Sequence, residues 1–223
     1  MCLRPRVPSA QYRGHVLVTG PTVEPVSAAE LRSFLVESAD ALPDAEANAL
    51  IKEARNLIEE MTGIAFIQQD WRLALDHWPS GRGQWWDGVR EGVISDLHGQ
   101  PATLHLPRYP LQSVQSVTVY DGNGAASTVD VGVTFDVDVY QSPGRLSLKL
   151  GATWPIALRP TNAIEIVYRA GYGATSGTVP AILARAVKQV AAYLYSHKGD
   201  DCDMGDAMAA AGTLLDAYRV ARI

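Results

Sequence analysis

The stretch from Asp44 to Pro79 constrains the fold more than any other, because its period changes within one short span. Leu50, Ile51, Ala54, Leu57, Ile58 and Met61 recur at intervals of three and four, which lays one apolar stripe along a helix. Gly63 follows the last apolar position, where a left-handed residue commonly ends a helix. Trp71, Leu73 and Leu75 then alternate with Arg72, Ala74 and Asp76, the period of a strand with one buried face. A helix that hands over directly to a strand predicts that the two share a core.

A second long helix completes that core. Pro180 stands where a first-turn proline is tolerated, and Ile182, Leu183, Ala186, Val187, Val190, Ala191 and Leu194 form another helical stripe. The stripe of Leu50, Leu57, Ile58 and Met61 is expected to pack on Leu183, Val187, Val190 and Leu194. A short helix precedes both. Ser27 and Glu30 have capping-box spacing, and Leu31, Phe34 and Leu35 give it an apolar face. The polar face of the helix that starts at Asp44 is the first place to look for contacts between subunits.

Between the helices the chain reads as strands: 66–76, 103–106, 114–120, 135–139, 145–150 and 163–169. Asp121-Gly122-Asn123-Gly124 is a hairpin turn, because its residues tolerate positive φ. Pro107 and Pro110 break the ladder, since proline donates no backbone hydrogen bond. Hairpin connections predict an antiparallel sheet or a small barrel. Residues 80–100 have neither period and read as a long loop. Its Trp85, Trp86, Asp87 and Arg90 are candidate interface residues, and the tryptophans fit a core anchor equally well.

The fold class is therefore α+β: a helical-bundle body, 25–65 and 178–198, with an inserted antiparallel β-rich region, 66–177, and a C-terminal extension. Residues 1–24, rich in proline and arginine, read as an N-terminal arm with one strand-like run, His15 to Thr19. A disordered tail and an arm that orders on a neighbouring subunit both fit. Residues 199–223 read as a polar linker followed by a weakly helical tail carrying Leu214, Leu215 and Tyr218.

Composition narrows the function. At 223 residues there is length for one sizeable core with appendages. The net charge of -5 argues against a nucleic-acid coat, which needs a basic surface, but suits a surface that DNA passes without sticking. No apolar run approaches the ~18 residues of a membrane span. Cys2 sits near the start and Cys202 in an acidic, flexible-looking linker, so a reducing cytoplasmic origin fits better than a structural disulfide. Asp201 and Asp203 flank Cys202, which disfavours a reactive thiolate. His15, His77, His98, His105 and His197 have no zinc-ligand spacing, and the aspartates at 200, 201 and 203 lack the pattern of a calcium loop. Gly171-Tyr172-Gly173-Ala174 lacks the Lys-Ser/Thr of a phosphate loop. No catalytic residue, cofactor or metal site is expected.

The order of motifs carries a resemblance. Glu24-Pro25-Val26-Ser27 precedes Met61-Thr62-Gly63, Gln69-Asp70-Trp71-Arg72-Leu73 and Trp78-Pro79. Trp85-Trp86-Asp87-Gly88-Val89-Arg90, Leu106-Pro107-Arg108-Tyr109-Pro110-Leu111 and Ser142-Pro143-Gly144-Arg145 follow. Trp154-Pro155, Tyr168-Arg169-Ala170-Gly171-Tyr172-Gly173 and Val179-Pro180 close the series. This order resembles the head–tail connector, or adaptor, proteins of tailed bacteriophages and gene transfer agents, in the gp6-like and phiE125 gp8-like branch. It runs from about Val23 to His197, with Leu214 to Val220 added.

The resemblance implies a non-enzymatic structural protein of the particle neck, assembled in the bacterial cytoplasm. It implies a dodecameric ring beneath the portal protein, with stopper or tail-terminator proteins below and DNA passing through the lumen without specific binding. It also implies that the C-terminal segment grips the portal, which makes Leu214, Leu215, Tyr218, Arg219, Val220, Arg222 and Ile223 the candidate portal-binding residues. Competing readings are another neck or tail-completion protein, such as a stopper, and a small ligand-binding or hydrolytic enzyme with the Trp85-Trp86 loop over a cleft.

Overall fold

The computed structural model describes residues 14–79, 103–149, 151–152, 157–198, 209, 211–215 and 218. The element order is β1 (Gly14–Thr19), α1 (Ala28–Leu35), α2 (Asp44–Thr62), β2 (Gln69–Leu75), β3 (Thr103–His105), β4 (Leu111–Tyr120), β5 (Ala126–Val129), α3 (Val131–Thr134), β6 (Phe135–Asp138), β7 (Arg145–Leu148), β8 (Ile164–Ala170), α4 (Ala181–Ser196) and α5 (Gly212–Leu215). The chain divides into two compact units. One takes residues 1–19, 70–106 and 111–169, and the other takes 20–69, 107–110 and 170–223.

The first unit is built on two open sheets, in the orders β1-β2-β8-β4-β5 and β3-β7-β6. The β1–β2, β4–β5, β3–β7 and β6–β7 pairings are antiparallel. The expected antiparallel sheet is present, and among the described residues the strands close no small barrel. The strands of the smaller sheet have only three or four residues, short for the tilted, staggered closure of a barrel. The Pro107–Pro110 segment ends one run after His105 and delays the next to Leu111.

Trp71, Leu73 and Leu75 of β2 are buried in alternation, as their period demands. Ile164, Ile166 and Tyr168 of β8 do the same. Residues 14–19, within the stretch that reads as an arm, form edge strand β1, where His15 stacks on Trp71 with ring centroids 4.5 Å apart. The Asp121–Gly124 turn forms as read. Asp121 Oδ1 accepts from the backbone N–H groups of Asn123 and Ala125, and Gly124 takes φ 83°. The alternating Val131 to Thr134 run is helical, because Asp130 Oδ1 caps it by accepting from Val133 N at 3.1 Å.

The second unit gathers α1, α2, α4 and α5 around one apolar cluster. Both halves of the Ser27–Glu30 capping box are present. Glu30 N donates to Ser27 Oγ, and Ser27 N donates to Glu30 Oε2. Gly63 ends α2 at φ 84°. Leu50 and Ile58 lie in the same buried cluster as Leu183, Val187, Val190 and Leu194, with Leu57 at its edge. Met61 departs from the expected stripe and is 52% exposed. Thr62 takes the inward place in that last turn, with its hydroxyl donating to Ile58 O at 2.6 Å.

The strand expected from Phe66 begins three residues later, at Gln69. Residues 64–67 are buried and Gln68 half-buried, all without regular structure, because their backbone groups pair one at a time with turns. Ala65 N donates to Tyr109 O, Gln68 N to Gly173 O, and Tyr172 N to Phe66 O. Gly171 makes this approach possible. At φ 130°, a Cβ there would sit 2.6 Å from Ile67 O.

Across the larger sheet, Asp70 on β2 accepts from Arg169 Nε at 2.7 Å, Arg169 Nη2 at 2.9 Å and Gln115 Nε2 at 2.7 Å. The Arg169 hydrogen bonds hold the Asp70 carboxyl below its ordinary range, against the opposing effect of burial. A depressed folded-state pKa stabilises above the unfolded value and is lost as pH falls towards the folded one. The native chain should therefore lose stability faster than the Asp70→Asn variant below about pH 4, the region of an unperturbed aspartate. Urea unfolding across that range checks this, and parallel pH dependence of the two chains would contradict it.

Candidate assembly interface

The best-defined polar cluster of the second unit centres on Glu59. Successive turns of α2 aim Arg55 and Glu59 inward together, and both are buried. Glu59 Oε1 accepts from Phe66 N at 3.0 Å and Gln69 Nε2 at 2.7 Å, and Oε2 accepts from Arg55 Nη1 at 3.0 Å. Arg55 also donates to Glu24, with Nε 2.7 Å from Oε2. Arg108 donates through Nη1 to the backbone carbonyl of Glu59 and through Nη2 to Glu60.

Burial pushes the Glu59 carboxyl up from its ordinary value, and Arg55, the Phe66 N–H, Arg108 and Gln69 push back. Burial alone would lower the Arg55 guanidinium, but its bonds to Glu24 and Glu59 outweigh that and raise it. Both oxygens of Glu59 are engaged, so the cluster ties four chain segments together.

Part of the predicted tail lies on this same unit. Ala211 and Leu215 are buried in its apolar cluster, with Leu214 and Tyr218 packed at the margin. Tyr109 donates its hydroxyl to Thr62 O at 2.6 Å, and the same oxygen lies 3.3 Å from Tyr218 O. Burial, then the neighbouring Tyr218 and Tyr109, pushes the Tyr172 hydroxyl up to about 12. Ala211, Leu215 and Tyr218, at intervals of four and three, are the sequence trace of this docking. Arg219, Val220, Arg222 and Ile223, and also Trp85, Trp86, Asp87 and Arg90, lie outside the described residues. So do Cys2, His98 and Cys202.

Several apolar side chains of this unit face solvent, among them Phe34, Ile182 and Met61. Val36, the residue that ends α1, is 90% exposed and adopts φ 62°, an uncommon conformation for a β-branched residue. A cleft of about 590 Å³ is lined by residues including Val23, Val26, Ala29, Arg32 and Asn48. Among the described residues, no three His, Cys, Asp or Glu side chains are grouped to hold a metal ion, and no helix is long and apolar enough to cross a membrane.

No family model and no curated protein matches the chain. Solved structures do. The chain is 25% identical to one in the neck of an empty gene transfer agent particle computed with C6 symmetry, over 94% of this chain and 97% of that one, with a TM-score of 0.69. It is 26% identical to one in the virion of a native gene transfer agent particle, over 94% and 96%, with a TM-score of 0.68. A chain of a native gene transfer agent neck computed with C12 symmetry shares the fold at 24% identity and a TM-score of 0.62, over 93% and 97%. The likeness to a neck protein of gene transfer agent particles, within the group that the order of motifs implies, thus extends over nearly the whole chain.

The Glu59 cluster makes a direct stability prediction. Glu59→Gln sets an amide donor against Arg55 or takes an acceptor from Phe66 and Gln69, and it leaves a buried guanidinium with Glu24 alone. It should cost about 3 kcal/mol, the scale of breaking a buried pair. Urea unfolding of the full chain measures it, and a cost below about 1 kcal/mol would show that the cluster does not hold the unit together.

Proposed function

We propose that this chain is a structural, non-catalytic subunit of the neck of a tailed phage or gene transfer agent particle. It acts there as the head–tail adaptor, a ring of copies between the portal and the stopper or tail, around a lumen for DNA. The observation that carries this reading is the two-way coverage of gene transfer agent particle chains, which extends over both units and not one shared module. The net charge of -5 supports a lumen that repels phosphate and lets DNA slide. We take the ring as a dodecamer, the count the adaptor resemblance implies.

The C-terminal segment is the proposed portal contact, with its work divided. Leu214, Leu215 and Tyr218 anchor it to the chain's own helical unit, which their burial supports. Arg219, Val220, Arg222 and Ile223 then reach the portal, the arginines through charge-assisted hydrogen bonds. Trp85, Trp86, Asp87 and Arg90 are the proposed second contact, because paired tryptophans suit an interface centre.

Deleting residues 219–223 tests this division, since it spares Leu215. The shortened chain should keep the unfolding midpoint of the full chain, while cells carrying it as their only copy yield heads without tails. Tailed, DNA-delivering particles from that deletion would contradict the portal role of the segment.

A further inference from the structure

Two helices of the second unit, α2 and α4, differ in the sign of their outward charges, while α1 carries one of each, Glu30 and Arg32. α4 carries Arg185 and Lys188 and no acidic residue. α2 carries Asp44, Glu46, Glu53 and Glu60 against one outward base, Lys52, since Arg55 and Glu59 point inward. Asp44 already pairs with Arg32 and Glu46 with Lys198. Glu53 and Arg185, both exposed, are in no ion pair among the described residues. Glu60 bonds Arg108 yet keeps 80% of its side chain exposed. Glu53 and Glu60, two turns apart, therefore form an acidic stripe on α2; exposed Arg185 and half-exposed Lys188, one turn apart, form a basic stripe on α4, where Lys188 also acts on the Glu30 carboxylate of α1 and Arg185 is the uncompensated charge.

Exposed apolar groups flank both stripes. Met61 follows Glu60, Ile182 lies one turn before Arg185, and the Lys188 ammonium sits 5.8 Å from the centre of the Phe34 ring. α2 and α4 pack on each other through their opposite, apolar faces, so the two stripes are turned apart and cannot neutralise each other within one chain.

We propose that the basic stripe of α4 in one copy docks on the acidic stripe of α2 in the next copy. This rests on the ring reading above and identifies the surfaces that close it. A head-to-tail contact joins two different patches of the same chain, and these patches are opposite in charge. A two-fold contact of either stripe with itself would set like charges together. Exposed ion pairs contribute little by themselves, so Ile182, Phe34 and Met61 supply buried area while the charges set register and partner choice.

The test uses two full-length variants, Arg185→Glu with Lys188→Glu, and Glu53→Lys with Glu60→Lys. Each is expressed as the only copy during particle assembly, and neck occupancy is counted by electron microscopy. Each alone presents two like-charged stripes and should fall below a tenth of native occupancy, with an unchanged circular dichroism spectrum. Expressed together, the two present complementary stripes and should alternate around an even-numbered ring, restoring at least half of native occupancy. Native occupancy by either variant alone, or no restoration by the folded pair, would overturn the interface and leave the ring reading standing. Necks that lack the native chain would overturn the ring reading itself. Should a double reversal unfold, Arg185→Glu and Glu53→Lys alone pose the same question at residues outside any ion pair.

Discussion

The carboxylate of Glu59 lies almost wholly out of water, and the second unit is arranged around satisfying it. A buried charge left without partners costs several kcal/mol, comparable with the whole stability of a domain. Here the partners come from four places in the chain: Arg55 on the same helix, the Phe66 amide and Gln69 after the Gly63 stop, Glu24 behind Arg55, and Arg108 at the carbonyl. Each is needed where it is, so the end of α2, the irregular run 64–68 and the Pro107–Pro110 segment are set together. Gly171, whose lack of a Cβ admits the Ile67 carbonyl, belongs to the same constraint.

A unit held this way suits a ring component. The proposed ring needs outward faces for contacts between copies, and the polar centre of this unit is satisfied from within. A subunit in a DNA conduit needs stiffness and a repelling charge more than a binding pocket. The buried pairs and the net negative charge are consistent with both.

What the sequence made legible was local. The capping box at Ser27, the Gly63 stop, the alternation of Trp71, Leu73 and Leu75, and the Asp121–Gly124 turn each depend on residues a few positions apart. Each reads correctly for that reason. The departures arise where distant partners decide. Phe66 has strand composition, yet its backbone bonds to Tyr172 and its amide to Glu59. Leu215 looks like part of a detached tail, yet it is drawn onto the apolar cluster of α4. Met61 fits the stripe by spacing but loses its place to Thr62 at the helix end. The Arg55–Glu24 and Arg108–Glu60 pairs span 31 and 48 positions, and no periodicity announces them.

Imaging the neck of particles assembled with this chain decides whether it is the adaptor. A closed ring of copies of this chain is expected directly beneath the portal, with DNA or an open lumen on its axis. A neck in which this chain is absent, or lies below another ring that makes the portal contact, would contradict it.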